Sequence, residues 1–402
     1  MVTTVTPYTD TRNRALVGDG FDGVVRVVVG NQYGTGVLLF DGTAVLTAAH
    51  LFANQAGSAN VVFETAAGLQ TVVSSQVLVN PNYTTANSNS DLALVWLSQD
   101  APVAAQRYGI YRGSSEIGQT MTMVGYGVPG SGAMGTLAPF TEAAVRLKAN
   151  NQFDAESASL SRFFGESGVW EATSGKQLVA DFDNGLAQND ALGSLLKKPS
   201  LGLGNLEGLT SRGDSGGPAF IGNLVAGIAS FTARLSDAGI VPDIDNTSNS
   251  SFGEIAAWQR VSAYQQWIDQ SLRGQYVQKP ATQAAVQKVV SEGTGGTTPV
   301  YFWLQFNGYR SDPNQIVSVE YKTRSGTALA GQDFIATQGV LNLYPNEDHA
   351  LIMVEIIADT LPEPDETFYL DVFNPVGANF APGQVQLTAM RTIVNDDGWY
   401  WG

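Results

Sequence analysis

Short runs of apolar residues, many alternating with polar ones, recur along most of the chain, with Gly, Asn and Asp in the gaps. GVVRVVV (23–29), TGVLLF (35–40), TAVLTAA (43–49), NVVFETA (60–66), TVVSSQVLV (71–79), LALVWL (92–97), QTMTMVGYG (119–127), GPAFIG (217–222) and NLVAGIASF (223–231) are rich in β-branched residues at strand length. Hairpin-length gaps between such runs predict an all-β barrel or sandwich over roughly the first 275 residues. One helix is predicted near the end of this region. In VSAYQQWIDQSLRG (261–274), Val261, Tyr264, Trp267, Ile268 and Leu272 recur at helical spacing, and Gly274 is a stop.

Two stretches break the pattern. Residues 140–207, with FFGESGVW, ADFDNGLAQNDALGSLL and a Gly/Leu-rich tail, read as a long insertion of mixed structure. Within it Asp181, Asp183, Asn184 and Asp190 offer cation ligands, but the glycine spacing is wrong for an EF-hand loop, and turn chemistry is the favoured reading. GQYVQKPATQAAVQ then leads through a linker (276–285) to a second all-β segment, 286–398. Its runs YFWLQF, VSVEYKT, GVLNLY, ALIMVEIIA and TFYLDVF suit a seven-strand sandwich. The closing GWYWG suggests that something longer has been cut off.

The length of 402 residues allows two domains, 1–275 and 286–398, each large enough for a core. No apolar run approaches the roughly 18 residues of a membrane-spanning helix. A net charge of −16, more than half of it within residues 282–402, lacks the basic footprint of a nucleic-acid binder. Zero cysteines exclude disulfides, zinc-thiolate sites and thiol nucleophiles. No charged and apolar leader opens the chain, so a secretory signal of the usual kind is not visible. The sequence leaves the oligomeric state open.

Residues 211–218, SRGDSGGP, admit three readings: an exposed Arg-Gly-Asp tripeptide, a nucleophile elbow of the α/β-hydrolase kind, or the turn around an activated serine. Serine hydrolysis needs a base, a carboxylate to orient it, and donors for the oxyanion. There are two histidines, His50 and His349. The elbow reading requires a histidine after the serine in the same domain, and none exists. His50 closes the apolar run TAVLTAAH, and Asp91 opens DLALVWL, giving the order His, Asp, Ser with Ser215.

TAAH, DLAL and GDSGGP, in that order, resemble the three signatures of the chymotrypsin/trypsin-like serine peptidases, over about residues 15–273. The resemblance implies an all-β fold, a double β-barrel with a C-terminal helix, and a serine endopeptidase needing no cofactor for its chemistry. It implies Ser215 as nucleophile, His50 as base, Asp91 as its orienting carboxylate, and the N–H groups of Gly213 and Ser215 as the oxyanion hole. Asp214 becomes a buried acid that pairs with a new amino terminus in the family, which argues against the adhesion tripeptide. Leu16-Val17-Gly18-Asp19, after Arg14, resembles the family's mature start, but its residues are not the usual ones and Met1 is present, so activation by cleavage is left open.

The pocket positions carried over are Leu209, Thr210, Ser230, Thr232 and Ala256. Without a carboxylate there, they imply cleavage after small or medium uncharged residues. Residues 286–397 resemble a Calx-beta domain, an immunoglobulin-like β-sandwich, through SEG (291–293), VEYKTRSGTALAGQDF (319–334), DTLPEPDETF (359–368) and NDD (395–397). That resemblance implies Ca²⁺ on Glu292, Asp333, Asp359, Glu363, Asp396 and Asp397, with Asp365 and Glu366 serving turn or strand. Together the two resemblances imply a secreted, bacterial-type peptidase acting on proteins or peptides and exported by a signal beyond the C-terminus. The competing readings are a catalytically silent adhesion or binding module on the same fold and an esterase-like use of the triad.

Overall fold

A computed structural model describes residues 2–53, 57–137, 143–163, 171–237 and 239–398. The tail at 399–402 and most of FFGESGVW lie outside the described residues. The chain divides into two compact units, Met1–Leu39 with Thr43–Gln265, and Phe40–Gly42 with Gln266–Gly402. From Gln266 onward the helix Gln265–Gly274 therefore falls in the second unit, although its pattern places it at the end of the first domain. No helix among the described residues is long and apolar enough to cross a membrane.

In the first unit, six strands close a barrel in the order Val24–Val29, Gln32–Leu38, Ala44–Thr47, Ala93–Leu97, Gly68–Val79 and Asn60–Thr65. Alternation sends Val25, Val27, Val29, Val61 and Phe63 into its core. Closure depends on Gly68–Val79, which pairs with a neighbour on each side and bends at a register shift between Ser74 and Gln76.

The other large sheet of this unit is an open half-barrel of seven strands. Its order is Leu147–Gln152, Thr120–Gly125, Pro218–Ile221, Leu224–Ala233, Ile255–Arg260, Gln177–Asp181 and Ala155–Glu156. Met121, Met123, Phe153, Leu178 and Trp258 fill its core, with the Phe153 and Trp258 rings edge to face at 5.7 Å. Three of these strands come from the stretch read as an insertion. Leu147–Gln152 does alternate buried and half-buried, but it buries Asn151 rather than an apolar residue, which hides the period from a hydropathy pattern.

A four-stranded sheet completes the unit, in the order Gly135–Thr136, Gly130–Ser131, Val2–Thr4 and Gly208–Thr210. Val2–Thr4 is fully buried and runs antiparallel to Gly208–Thr210, with Val2 opposite Thr210.

The second unit sets five strands, Val289–Ser291, Gln386–Val394, Glu366–Val376, Val317–Ser325 and Gln338–Leu343, in one sheet. Thr297–Gln305 and His349–Ile357 form a separate pair. Residues of both sheets share one core, where Phe334 stacks on Phe368 at 4.6 Å and Phe302 meets Phe368 edge on. These are the seven strands of the predicted sandwich.

Candidate functional site

The strand Ala44–Thr47 runs out of the barrel core into a single 3-10 turn, Ala49–Phe52. Leu51 and Phe52 stay buried and anchor the turn, which leaves the His50 side chain 32% exposed. Asp91 precedes Ala93–Leu97 and has a fully buried side chain. It follows Ser90, whose φ of 56° is left-handed, a strained conformation for a residue with a side chain. That turn points the carboxylate at the imidazole.

His50 Nδ1 lies 2.8 Å from Asp91 Oδ2, and the His50 backbone N–H donates to Asp91 Oδ1 at 2.8 Å. A carboxylate only accepts, so this contact places a ring proton on Nδ1, and in the neutral imidazole Nε2 is then the nitrogen with the lone pair. Asp91 Oδ2 also accepts from Ser230 Oγ at 2.5 Å. Ser230 falls at a register shift between Ala229 and Phe231, so it is the extra residue of a bulge facing Ile255–Arg260. Gln259 Nε2 supports it at 3.4 Å and also bonds the Ser88 carbonyl at 2.7 Å. Ser230 was expected in the specificity pocket; its hydroxyl is engaged by the Asp91 carboxylate.

Ser215 sits in a turn that only glycines permit on either side. Gly213 has φ 99°, and a Cβ there would lie 2.9 Å from Gly127 Cα. Gly216 has φ 84°, and its Cβ would meet Thr47 Oγ1 at 2.0 Å and the Thr35 carbonyl oxygen at 2.3 Å. The turn is held by Thr35 N–H to the Ser215 carbonyl (2.8 Å), Thr35 Oγ1 to the Gly213 carbonyl (2.9 Å) and Gly216 N–H to the Ala229 carbonyl (2.8 Å). Among the described residues the N–H groups of Gly213 and Ser215 have no protein acceptor. Gly34 joins the two halves: a Cβ there would lie 2.6 Å from both Leu51 Cδ1 and the Ser215 carbonyl oxygen. The strand carrying Gly34 and Thr35 thus packs against both the His50 turn and the Ser215 turn.

Asp214 is buried, as is Gly213, while Arg212 is exposed, so Arg-Gly-Asp is not displayed as a tripeptide. Among its partners, Asp214 Oδ1 accepts from Gly127 N–H (2.9 Å) and Oδ2 from Ser211 N–H (2.8 Å). Burial pushes its carboxyl above the ordinary range. Leu16 and Val17, the resemblance to a mature start, lie on the surface, with Leu16 N–H bonded to Asp19 and Gly18 N–H to Asp22. Arg14 forms a bridge with Leu147, and Ala15 is buried with its N–H on the Arg146 carbonyl. The Arg14–Ala15 bond is therefore held in structure.

Of the other pocket positions, Leu209 is fully buried in the half-barrel core cluster with Val2 and Trp258. Thr210 and Ala256 are buried, and Thr232, opposite Ala256, is half-buried.

In the second unit the structure brings together two of the six predicted cation ligands, Asp333 and Glu363. With Glu366 they place carboxylate oxygens within 4.8 Å of one another. Burial first, and then the charges of Asp359, Glu363 and Asp397, raise the Glu292 carboxyl. Glu366 is pushed to about 7, by burial and then by a hydrogen bond with Asp333. Two positions differ from expectation. Asp396 turns to Ser291 Oγ and Gly293 N–H, donors that hold its carboxyl below the ordinary value. Glu366 joins the cluster from the first position of Glu366–Val376, a place its strand setting had hidden.

Comparison with known proteins agrees with this architecture. Residues 20–162 match the sequence model of the Trypsin family, and residues 305–397 match that of the Calx-beta domain. The sodium/calcium exchanger Calx of Drosophila melanogaster is 40% identical over 89 residues, 22% of this chain and 9% of that protein. Adhesion G-protein coupled receptor V1 of Danio rerio is 39% identical over 82 residues, 20% of this chain and 1% of that protein. Human sodium/calcium exchanger 2 is 31% identical over 97 residues, 21% of this chain and 10% of that protein. The chain thus spans a tenth or less of these relatives. Among solved structures, mouse neuropsin, a serine protease, is 17% identical, with a TM-score of 0.46 over 65% of this chain and 98% of its own. The protein is mostly β, with a trypsin-like fold followed by a Calx-beta domain.

Proposed function

We propose that the protein is a serine endopeptidase working through Ser215, His50 and Asp91. The observation that carries this reading is the doubly bonded His50–Asp91 pair, at 2.8 Å through both ring and backbone, with Ser215 in a glycine-framed turn across the Gly34–Thr35 strand. His50 Nε2 takes the proton as Ser215 Oγ attacks the scissile carbonyl. The oxygen that becomes negative is met by the uncommitted N–H groups of Gly213 and Ser215. The tetrahedral intermediate collapses as the imidazolium gives its proton to the leaving amine, forming the ester of Ser215. Water, deprotonated by His50, then attacks the ester, and Ser215 recovers its proton. Asp91 remains a carboxylate throughout and stabilises the imidazolium.

The substrate is a protein or peptide with a small or medium uncharged residue before the cleaved bond, a reading supported by the lack of a carboxylate at the carried-over positions Leu209, Thr210 and Ala256. We assign Ca²⁺ to the second unit, on Glu292, Asp333, Asp359, Glu363, Glu366 and Asp397, an oxygen-only donor set suited to a hard cation. An extracellular setting belongs to the same reading.

Peptide amides ending in Ala, Val, Lys or Arg, assayed with wild type and Ser215→Ala, test the proposal. Cleavage after Ala or Val that vanishes in the variant supports it. Absence of peptide cleavage under every condition, with the protein folded, would instead favour a binding module on a peptidase fold.

A further inference from the structure

A second cluster of carboxylates lies inside the first unit, in the stretch that leads towards the Ser215 turn. Asp181 ends the strand Gln177–Asp181, Asp183 follows two residues later, and Asp190 caps the helix Ala191–Leu196. Their ligand oxygens fall within 4.8 Å of one another, and all three residues are buried. Asp190 Oδ1 accepts from Gly193 N–H (2.6 Å) and Oδ2 from Ser200 N–H (3.0 Å), while Asp181 Oδ2 accepts from Leu192 N–H (2.7 Å). Each of these oxygens retains a lone pair.

Asp183 is different. It is 4% exposed, yet its Oδ1 has no hydrogen-bond partner among the described residues. The charges acting on it are those of Glu207, Asp190 and Asp154, all negative. An unpartnered buried carboxylate facing other carboxylates is costly unless a proton or a cation compensates it. An all-oxygen donor set without nitrogen or sulfur selects a hard divalent ion, and irregular carboxylate geometry suits Ca²⁺ better than Mg²⁺.

We propose that Asp181, Asp183 and Asp190 hold a Ca²⁺ ion in the peptidase unit, separate from the cation assigned to the second unit. The ion ties the end of one sheet strand to the helix cap and so fixes the excursion that returns, through Glu207, into Gly208–Thr210. Glu207 already bonds the Asp183 N–H at 2.8 Å, so ion and backbone brace the same loop. Gly208–Thr210 runs directly into the Ser215 turn, which places the ion where it stabilises the approach to the nucleophile.

The test uses the full chain carrying Glu292→Gln and Glu363→Gln, which disable the second-unit site. Equilibrium dialysis against radiolabelled Ca²⁺ is expected to find one ion per chain retained, and that ion lost when Asp183→Asn is added. Absence of bound Ca²⁺ in the double variant, or unchanged binding after Asp183→Asn in folded protein, overturns the proposal and leaves a proton-sharing cluster. A double variant that binds as many ions as wild type contradicts the second-unit assignment alone. Should Asp183→Asn fail to fold, wild-type crystals soaked in Tb³⁺ decide the matter. An anomalous peak at Asp183 supports the site, and a map without one refutes it.

Discussion

The Ser230 hydroxyl donates to Asp91 Oδ2 at 2.5 Å, on the same carboxylate oxygen that receives the His50 ring. A bulge in Leu224–Ala233 thus supplies a positioning group for a carboxylate carried by the other barrel. Ser230→Ala should lower kcat about tenfold with little change in KM, the scale of one hydrogen bond to a charged group. Ser230→Thr, which keeps a hydroxyl donor at this position, should restore much of the lost kcat, a rescue that a purely structural defect would not show.

Gly216 tests the turn itself. Alanine there would take up a left-handed conformation costing about 1–2 kcal/mol and would also press on Thr47 and Thr35. Gly216→Ala is expected to lose nearly all activity and to unfold at a lower temperature than wild type, measured by scanning calorimetry and peptide turnover. Wild-type activity in this variant would mean that the turn around Ser215 differs from the one described.

The second-unit site separates residues that converge from one that turns away. Glu366→Gln should weaken Ca²⁺ binding about tenfold or more, because it removes a ligand charge from the group with Asp333 and Glu363. Asp396→Asn should change affinity little, since Ser291 and Gly293 already occupy its oxygens. Calorimetric titration of both variants checks the contrast.

The carboxylates around Asp183 make a pH prediction for the chelator-treated protein. Burial first, then neighbouring negative charges, pushes Asp183 to about 8; burial likewise lifts Asp154 and Glu207 to about 7. Asp181 is raised for the same reasons, and Asp190 faces the same cluster. Raised carboxyls hold protons in the folded state that the unfolded chain has released, so their contribution to stability is complete below about pH 4 and disappears as pH climbs through 7 to 8. In chelator, the unfolding temperature should fall between pH 5 and pH 8 by more in wild type than in Asp183→Asn. An equal fall in both would remove the cluster as its source.

The strand content, the sandwich and the two residues that pair as His50 and Asp91 were legible in the sequence, because these rest on local signals: β-branched runs between turns, and short motifs that fix a side chain on a turn. Leu147–Gln152 escaped because its inward face includes Asn151, which bonds the Asp181 and Gly208 carbonyls instead of packing as an apolar residue. Val2–Thr4 escaped because three residues carry no period, and only pairing with Gly208–Thr210 defines them as a strand. The Ser230–Asp91 bond spans 139 positions and depends on a bulge, which leaves no trace in spacing. Glu366 sits at a strand start, where alternation says nothing about a ligand.

The central claim is that Ser215 is an activated nucleophile. Its most direct test is labelling with a fluorophosphonate, followed by mass spectrometry to locate the adduct, in wild type, Ser215→Ala and His50→Ala. The account predicts one phosphonylated residue, Ser215, with labelling abolished in Ser215→Ala and at least about a hundredfold slower in His50→Ala, the upper range for a lost general base. A folded wild-type protein that stays unlabelled, or an adduct on another residue, would contradict it.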